Sequence, residues 1–199
     1  MKKLVIVGCI SLFMLSCGST SIEKSWHEPG MTISNSAENK TFVIALVKDE
    51  TSRRIIEDIL VQRLNKNAEV SYNAISLAML KNANVNALDD ELRKGKFTHV
   101  LMMRLADINE ETSYVEGTTS VYYSGYGRYY GYGAGFYSTP GYYTTDKNYF
   151  VETTIFSVKQ DKLIWSSTSK TVNPTNIDKT VNEIADVVAE RMRKDGFLK

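Results

Sequence analysis

Two cysteines, two histidines and a few runs of neighbouring carboxylates are the side chains of this 199-residue chain that could do chemistry. Their spacing gives them little to do. His27 and His99 stand alone, with no second histidine at ligand spacing, so no metal centre is expected. His99 falls within an apolar run and reads as a satisfied core or edge histidine. Glu57-Asp58 and Asp89-Asp90-Glu91 are adjacent carboxylates. Neighbours on a helix point about 100° apart, so these read as solvated faces and not as an acid–base pair. Arg53-Arg54 at a helix start reads as salt-bridged, with anion binding as the weaker alternative. No catalytic residue, cofactor or metal site is assigned, and the chain is expected not to be an enzyme.

The cysteines do carry a signal. Met1-Lys2-Lys3 is a positive n-region, Leu4 to Leu15 an apolar run, and Ser16-Cys17-Gly18 a small-residue processing site. The run is too short to span a bilayer, which takes about 20 apolar residues. Cys9 also follows a lipobox-like stretch, Ile6-Val7-Gly8, but processing there would leave too short a leader. The expectation is a signal peptide over 1–16, lipidation of Cys17, and anchoring to a membrane of the cell envelope. The alternative is a plain secretory signal with an incidental cysteine. Gly18 after the anchor, in place of an aspartate, points to the outer membrane.

Cleavage removes Lys2 and Lys3 and leaves 22 basic against 23 acidic side chains. That balance argues against nucleic acid as a partner, which requires a basic surface. A hydrophobic content of 43% and a charged content of 24% are ordinary for a globular domain.

Tyrosine is the residue with an unusual distribution. Eleven of the twelve tyrosines lie between Tyr114 and Tyr149, and seven of the twelve glycines between Gly117 and Gly141. The glycine spacing matches no dinucleotide fingerprint, and no helix pattern follows it. The stretch, about 114–147, reads as an insertion at the tip of a long hairpin. One reading is a flexible low-complexity spacer. The other is a binding surface made by Tyr122, Tyr123, Tyr126, Tyr129, Tyr130, Tyr132, Tyr137, Tyr142 and Tyr143. Tyrosine offers a flat apolar ring and a hydroxyl at low entropy cost, which suits protein or glycan partners.

The elements that must hold this insertion follow from periodicity. Residues 17–40 read as the lipidated cysteine and a polar tether, with Trp26 packing on the domain edge. Thr41 to Val47 and Phe97 to Ile108 are continuous apolar runs, expected as buried strands. Ile55, Ile56, Ile59, Leu60 and Leu64 form one helical stripe, and a short strand is expected near Glu69 to Tyr72. Residues 73–96 read as broken helix, clearest over Ala87 to Lys94. Tyr149 to Val158 and Leu163 to Thr171 read as a hairpin around Gln160-Asp161, with Trp165 buried beneath a helix. A last helix starts near Asn176, presents Val181, Ile184, Ala185, Val188 and Met192 on one face, and stops at Gly196. The expected fold is α/β: one domain over 41–199, a mixed sheet of about five strands with amphipathic helices packed on it, and a long Tyr/Gly-rich hairpin insertion.

The apolar strand followed by Arg53-Arg54-Ile55-Ile56-Glu57-Asp58, together with Tyr149 to Thr153, Lys162 to Ser166 and the ending Gly196-Phe197, resembles bacterial envelope lipoproteins of a domain-of-unknown-function type. The start Trp26-His27-Glu28-Pro29 is similar to theirs as well. More distantly, the arrangement is similar to the small α/β domain of periplasmic Tol-system and curli-secretion proteins. The resemblance covers most of the mature chain, carries over no catalytic residue, and implies action through protein–protein contacts or assembly. The tyrosine–glycine insertion departs from that compact pattern. The expected function is a membrane-anchored interaction or assembly module whose partners are envelope proteins. The alternative is a glycan- or peptidoglycan-binding lipoprotein that uses the insertion.

Overall fold

The computed structural model describes residues 20–34, 38–64, 67–82, 85–116, 119–122, 135–138 and 140–198, the segments 119–122 and 135–138 by their backbone alone. Cys17 and the expected signal peptide over 1–16 therefore lie outside the described residues.

Among the described residues, eight strands and four helices follow in the order β1 (Thr20–His27), β2 (Thr41–Leu46), α1 (Glu50–Leu64), β3 (Ala68–Val70), α2 (Leu77–Lys81), α3 (Val85–Lys94), β4 (His99–Val115), β5 (Thr119–Tyr122), β6 (Gly135–Ser138), β7 (Tyr142–Ser157), β8 (Lys162–Val172) and α4 (Ile177–Lys194). Six strands form one sheet in the order β1-β8-β7-β4-β2-β3, and β5 and β6 pair as a separate two-stranded sheet. The β2 strand is parallel to both β3 and β4, and β7 is antiparallel to β4 and β8. The mixed α/β sheet is the one expected, with one strand more.

That extra strand is β1, and it corrects the tether. Thr20–His27 pairs antiparallel with β8 along its whole length, with a bulge between Ile22 and Lys24. An edge strand is held by backbone pairing and one partly buried face, so it tolerates the polar composition that read as a linker. Its side chains add ties: the Thr20 hydroxyl lies 2.9 Å from that of Thr171 and donates to Glu183 at 3.0 Å, and Ser25 donates to Asp195 at 3.1 Å. Trp26 sits on this edge strand, half exposed. Beyond it, the Ile33 amide donates to the Phe197 carbonyl at 2.7 Å. Residues 20–34 thus belong to the domain.

The two faces of the sheet are covered by different helices. Val43, Ala45, Leu101, Met103 and Ile155 pack with Ile56 and Leu60 of α1 and with Val181, Ile184, Ala185, Val188 and Met192 of α4. Phe42, Ile44 and Val100 face the opposite way and pack with Leu92 of α3, Ile75 and Phe97. The alternation along β2 explains why its sequence is apolar without a break: both faces are core. The apolar face expected for α4 is the buried one, and Asn176 caps it by accepting from the Lys179 amide. Gly196 ends it at φ 71°, a conformation that suits glycine. Phe197 then turns back into the core fully buried, 6.3 Å from the fully buried Trp165 ring.

Candidate interaction arm

The strands β4 and β7 are much longer than the body they belong to. Their pairing runs unbroken in direction from His99↔Ser157 to Val115↔Tyr142, with one bulge after Leu105. From Arg104 outward, every residue of β4 is exposed. The neighbouring strand β8 ends at Val172, opposite Asn148. Past that point the two strands continue alone for six rungs, Glu110 to Val115 against Tyr142 to Lys147, an arm of about 20 Å at roughly 3.4 Å per residue.

A two-stranded ribbon is marginal in water unless cross-strand pairs and its base secure it. One face of the arm carries a ladder of such pairs. Lys147 meets Glu110 at 3.1 Å, the hydroxyls of Thr112 and Thr145 lie 3.2 Å apart, and the rings of Tyr114 and Tyr143 sit 5.0 Å apart, tilted at 51°. The hydrogen bond and charge of Glu110 hold the Lys147 ammonium above its ordinary pKa of 10.5. At the base, Asn173 takes the place of the missing strand. It adopts φ 47°, its side-chain oxygen accepts from the Lys147 amide at 2.8 Å, its own amide donates to the Lys147 carbonyl at 2.9 Å, and its side-chain NH₂ donates to Asp146 at 2.7 Å.

The tip is aromatic and open to solvent. Tyr143 is 75% exposed, Tyr142 62% and Tyr114 55%. Gly141 lets the chain turn against Tyr114: a Cβ there would strike the Tyr114 ring and lie 2.8 Å from the Val115 carbonyl oxygen. Of the tyrosines singled out from the sequence, Tyr142 and Tyr143 lie at this tip. Tyr122 and Tyr137 lie on β5 and β6, opposite Gly135 and Ser120. Tyr123, Tyr126, Tyr129, Tyr130 and Tyr132 lie outside the described residues. Tyr114 is not among those candidates; Ile108, Glu110, Thr112 and Tyr114 share one strand face, but the intervening Asn109, Glu111 and Ser113 give no apolar alternation to mark it.

A second polar constellation lies inside the body. Glu57, which its neighbour Asp58 in the sequence suggests is on a solvated face, is instead fully buried, as is Arg53 one turn before it. The Glu57 carboxylate accepts five hydrogen bonds: from Arg53 Nε at 3.0 Å, the Ala45 amide at 3.0 Å, the Ser71 amide at 2.6 Å, the Ser71 hydroxyl at 2.7 Å and the Tyr72 amide at 3.1 Å. Arg53 also donates to the Ser71 hydroxyl at 2.6 Å and approaches Glu50 at 3.5 Å. The pair thus links α1 to β2 and to the chain leaving β3, and the salt-bridge reading of Arg53 is the one observed. The partners are backbone amides and a structural serine, so the arrangement binds the βαβ unit together. His99 is half-buried with Nδ1 2.9 Å from the Thr98 hydroxyl, and burial lowers its pKa below 6.5. Among the described residues no cluster of three or more His, Cys, Asp or Glu could hold a metal ion, and no helix is long and apolar enough to cross a membrane.

No protein-family model and no curated protein matches the chain. Among solved structures, it is similar to PelC from Paraburkholderia phytofirmans, solved as a dodecamer, at 11% identity over 83% of this chain and 94% of that one, with a TM-score of 0.44. It is also similar to the lipoprotein GNA1162 from Neisseria meningitidis, at 8% identity over 78% of this chain and 99% of that one, with a TM-score of 0.39. Both scores lie below 0.5, and the functional reading rests on the chain's own residues.

Proposed function

We propose that this protein is an envelope lipoprotein, held to a membrane through a lipid on Cys17, that works as a non-enzymatic interaction or assembly module and engages another envelope protein with the β4–β7 arm. The observation that carries the reading is the arm itself. It leaves the sheet, its β4 strand is exposed from Arg104 outward, and it ends in Tyr114, Tyr142 and Tyr143, all more than half exposed. Exposed aromatic clusters of this kind mark contact sites. The leader Met1 to Ser16 and the cysteine that follows it support the anchor, and the absence of an aspartate after Cys17 favours the outer membrane.

The test compares the full chain with a variant in which the arm, residues 110–147, is replaced by Asn-Gly to close the Asn109–Asn148 rung, both expressed in a bacterial envelope and treated with an amine-reactive crosslinker. The full chain gives a discrete crosslinked envelope protein, and the shortened arm loses it while the domain still folds. Retained capture by the shortened variant contradicts the reading. Co-sedimentation of the full chain with purified cell-wall polymer, without any protein adduct, favours a glycan ligand instead.

A further inference from the structure

Away from the arm, the parallel helices α1 and α4 enclose a cavity of about 270 Å³ above the sheet. Its walls are apolar, with Leu60, Leu101, Met103, Val188, Met192 and Phe197 among them. Its floor includes Thr153, which is 1% exposed and whose hydroxyl has no hydrogen-bond partner among the described residues. Directly opposite Thr153 in the ladder stands Ser167, and two residues before Ser167 on the same strand is Trp165. The Ser167 hydroxyl and the Trp165 indole N–H are likewise buried and unpartnered among the described residues. Buried polar groups are normally paired, so three neighbours without partners call for an explanation.

Water fits this space poorly. The volume corresponds to about nine waters at about 30 Å³ each, and a buried water makes about three hydrogen bonds. Walls of leucine, methionine, valine and phenylalanine cannot supply them. One apolar chain with a single polar end fits both the walls and the floor. The floor groups are neutral, and a charged head buried there would be costly to desolvate. At the open end, Arg63 is already engaged by Asp186 and by Asn182 at 2.9 Å, and Ile33, Leu64 and Leu198 make the lining there mostly apolar, with Arg193 the charged residue beside them. The floor lies four residues along β7 from Ser157, whose level in the sheet is that of Thr41 at the mouth. The depth is thus about 13 Å at roughly 3.3 Å per residue.

We infer that this cavity binds a single-chain lipid with an uncharged hydroxyl or ester head, which enters head first, hydrogen-bonds the Thr153 hydroxyl, and leaves its chain between α1 and α4. The site is separate from the arm and does not depend on how the arm is used. It also has a built-in reporter, because Trp165 borders the floor residues and stacks on the cavity-lining Phe197.

The experiment titrates the full chain carrying Trp26→Phe, so that Trp165 is the remaining tryptophan, with 1-decanol, decane and sodium decanoate, following indole fluorescence. The expected result is a saturable response to 1-decanol that is stronger than the response to either of the others. Thr153→Val, of nearly the same shape, should weaken 1-decanol about fivefold, the factor that one ordinary hydrogen bond carries. Ala189→Leu, at the lip of the cavity, should block the response while the thermal unfolding transition stays in place. No saturable response to 1-decanol overturns the inference. So does unchanged affinity in Thr153→Val. Tighter binding of decanoate that is lost in Arg193→Gln also overturns it, because that places the head at the mouth.

Discussion

Replacing Glu57 with glutamine should be among the most damaging isosteric changes this domain can suffer. The carboxylate holds five donors, two of them on Oε2, the amides of Ser71 and Tyr72. A glutamine can keep its oxygen toward Arg53 and Ala45 only by turning its NH₂ toward those two amides. Two donors then face a third, and the Arg53 guanidinium, with no exposed surface, loses its buried counter-charge and keeps only the partly exposed Glu50 at 3.5 Å. Removing one partner of a buried ion pair typically costs about 3–5 kcal/mol. With a urea m-value of about 2 kcal/mol per molar, the unfolding midpoint should fall by roughly 2 M. Circular dichroism through a urea titration reads this directly. The double variant Arg53→Met with Glu57→Gln should recover part of the loss, since no charge is then stranded. A midpoint within about 0.5 M of the parent for Glu57→Gln would refute the account of this pair as the clamp of the βαβ unit.

Other consequences can be measured separately. Gly141→Ala should displace the Tyr114 ring and change the near-ultraviolet tyrosine signal while moving global stability by less than about 1 kcal/mol, because a two-stranded ribbon contributes little on its own; an unchanged spectrum counts against the packed tip. His99 is held neutral by burial, with its folded pKa below the ordinary 6.5, so the unfolded chain binds more protons. Stability is therefore full above about pH 6.5 and falls as the pH drops through that value, and His99→Gln should flatten this slope in urea midpoints taken across it. Cys17→Ser should abolish fatty-acid labelling and membrane fractionation, whereas Cys9→Ser should leave both intact; label persisting in Cys17→Ser would remove the anchor from its assigned place.

The elements whose burial is set by side-chain pattern were legible in the sequence. The unbroken apolar run of β2 encodes a strand covered on both faces, and Val181, Ile184, Ala185, Val188 and Met192 encode the packed face of α4. What sequence hid is whatever depends on backbone pairing or on distant partners. Thr20–His27 has no apolar periodicity, and only the free edge of β8 makes it a strand. Glu57 carries the same charge as any solvated helical residue; its burial depends on the amides of Ser71 and Tyr72, which the chain brings back only after β3. The arm was legible as a hairpin with its two flanks paired, but its length was not. Residues 109–113 are polar and exposed, so the ladder continues there on cross-strand pairs such as Glu110 with Lys147, not on burial. The tyrosines could be located from their clustering, yet the contact of Tyr114 with Tyr143 depends on the register that the bulge after Leu105 sets.

The claim that the arm is a contact site for another envelope protein is tested most directly by placing a photo-crosslinking amino acid at Tyr143 in the full-length protein and irradiating intact cells. A control copy carries it at Lys94, equally exposed on α3 and away from the arm. The account predicts a discrete protein adduct from position 143 that is absent from position 94. The same adducts from both positions, or none from position 143, would contradict it.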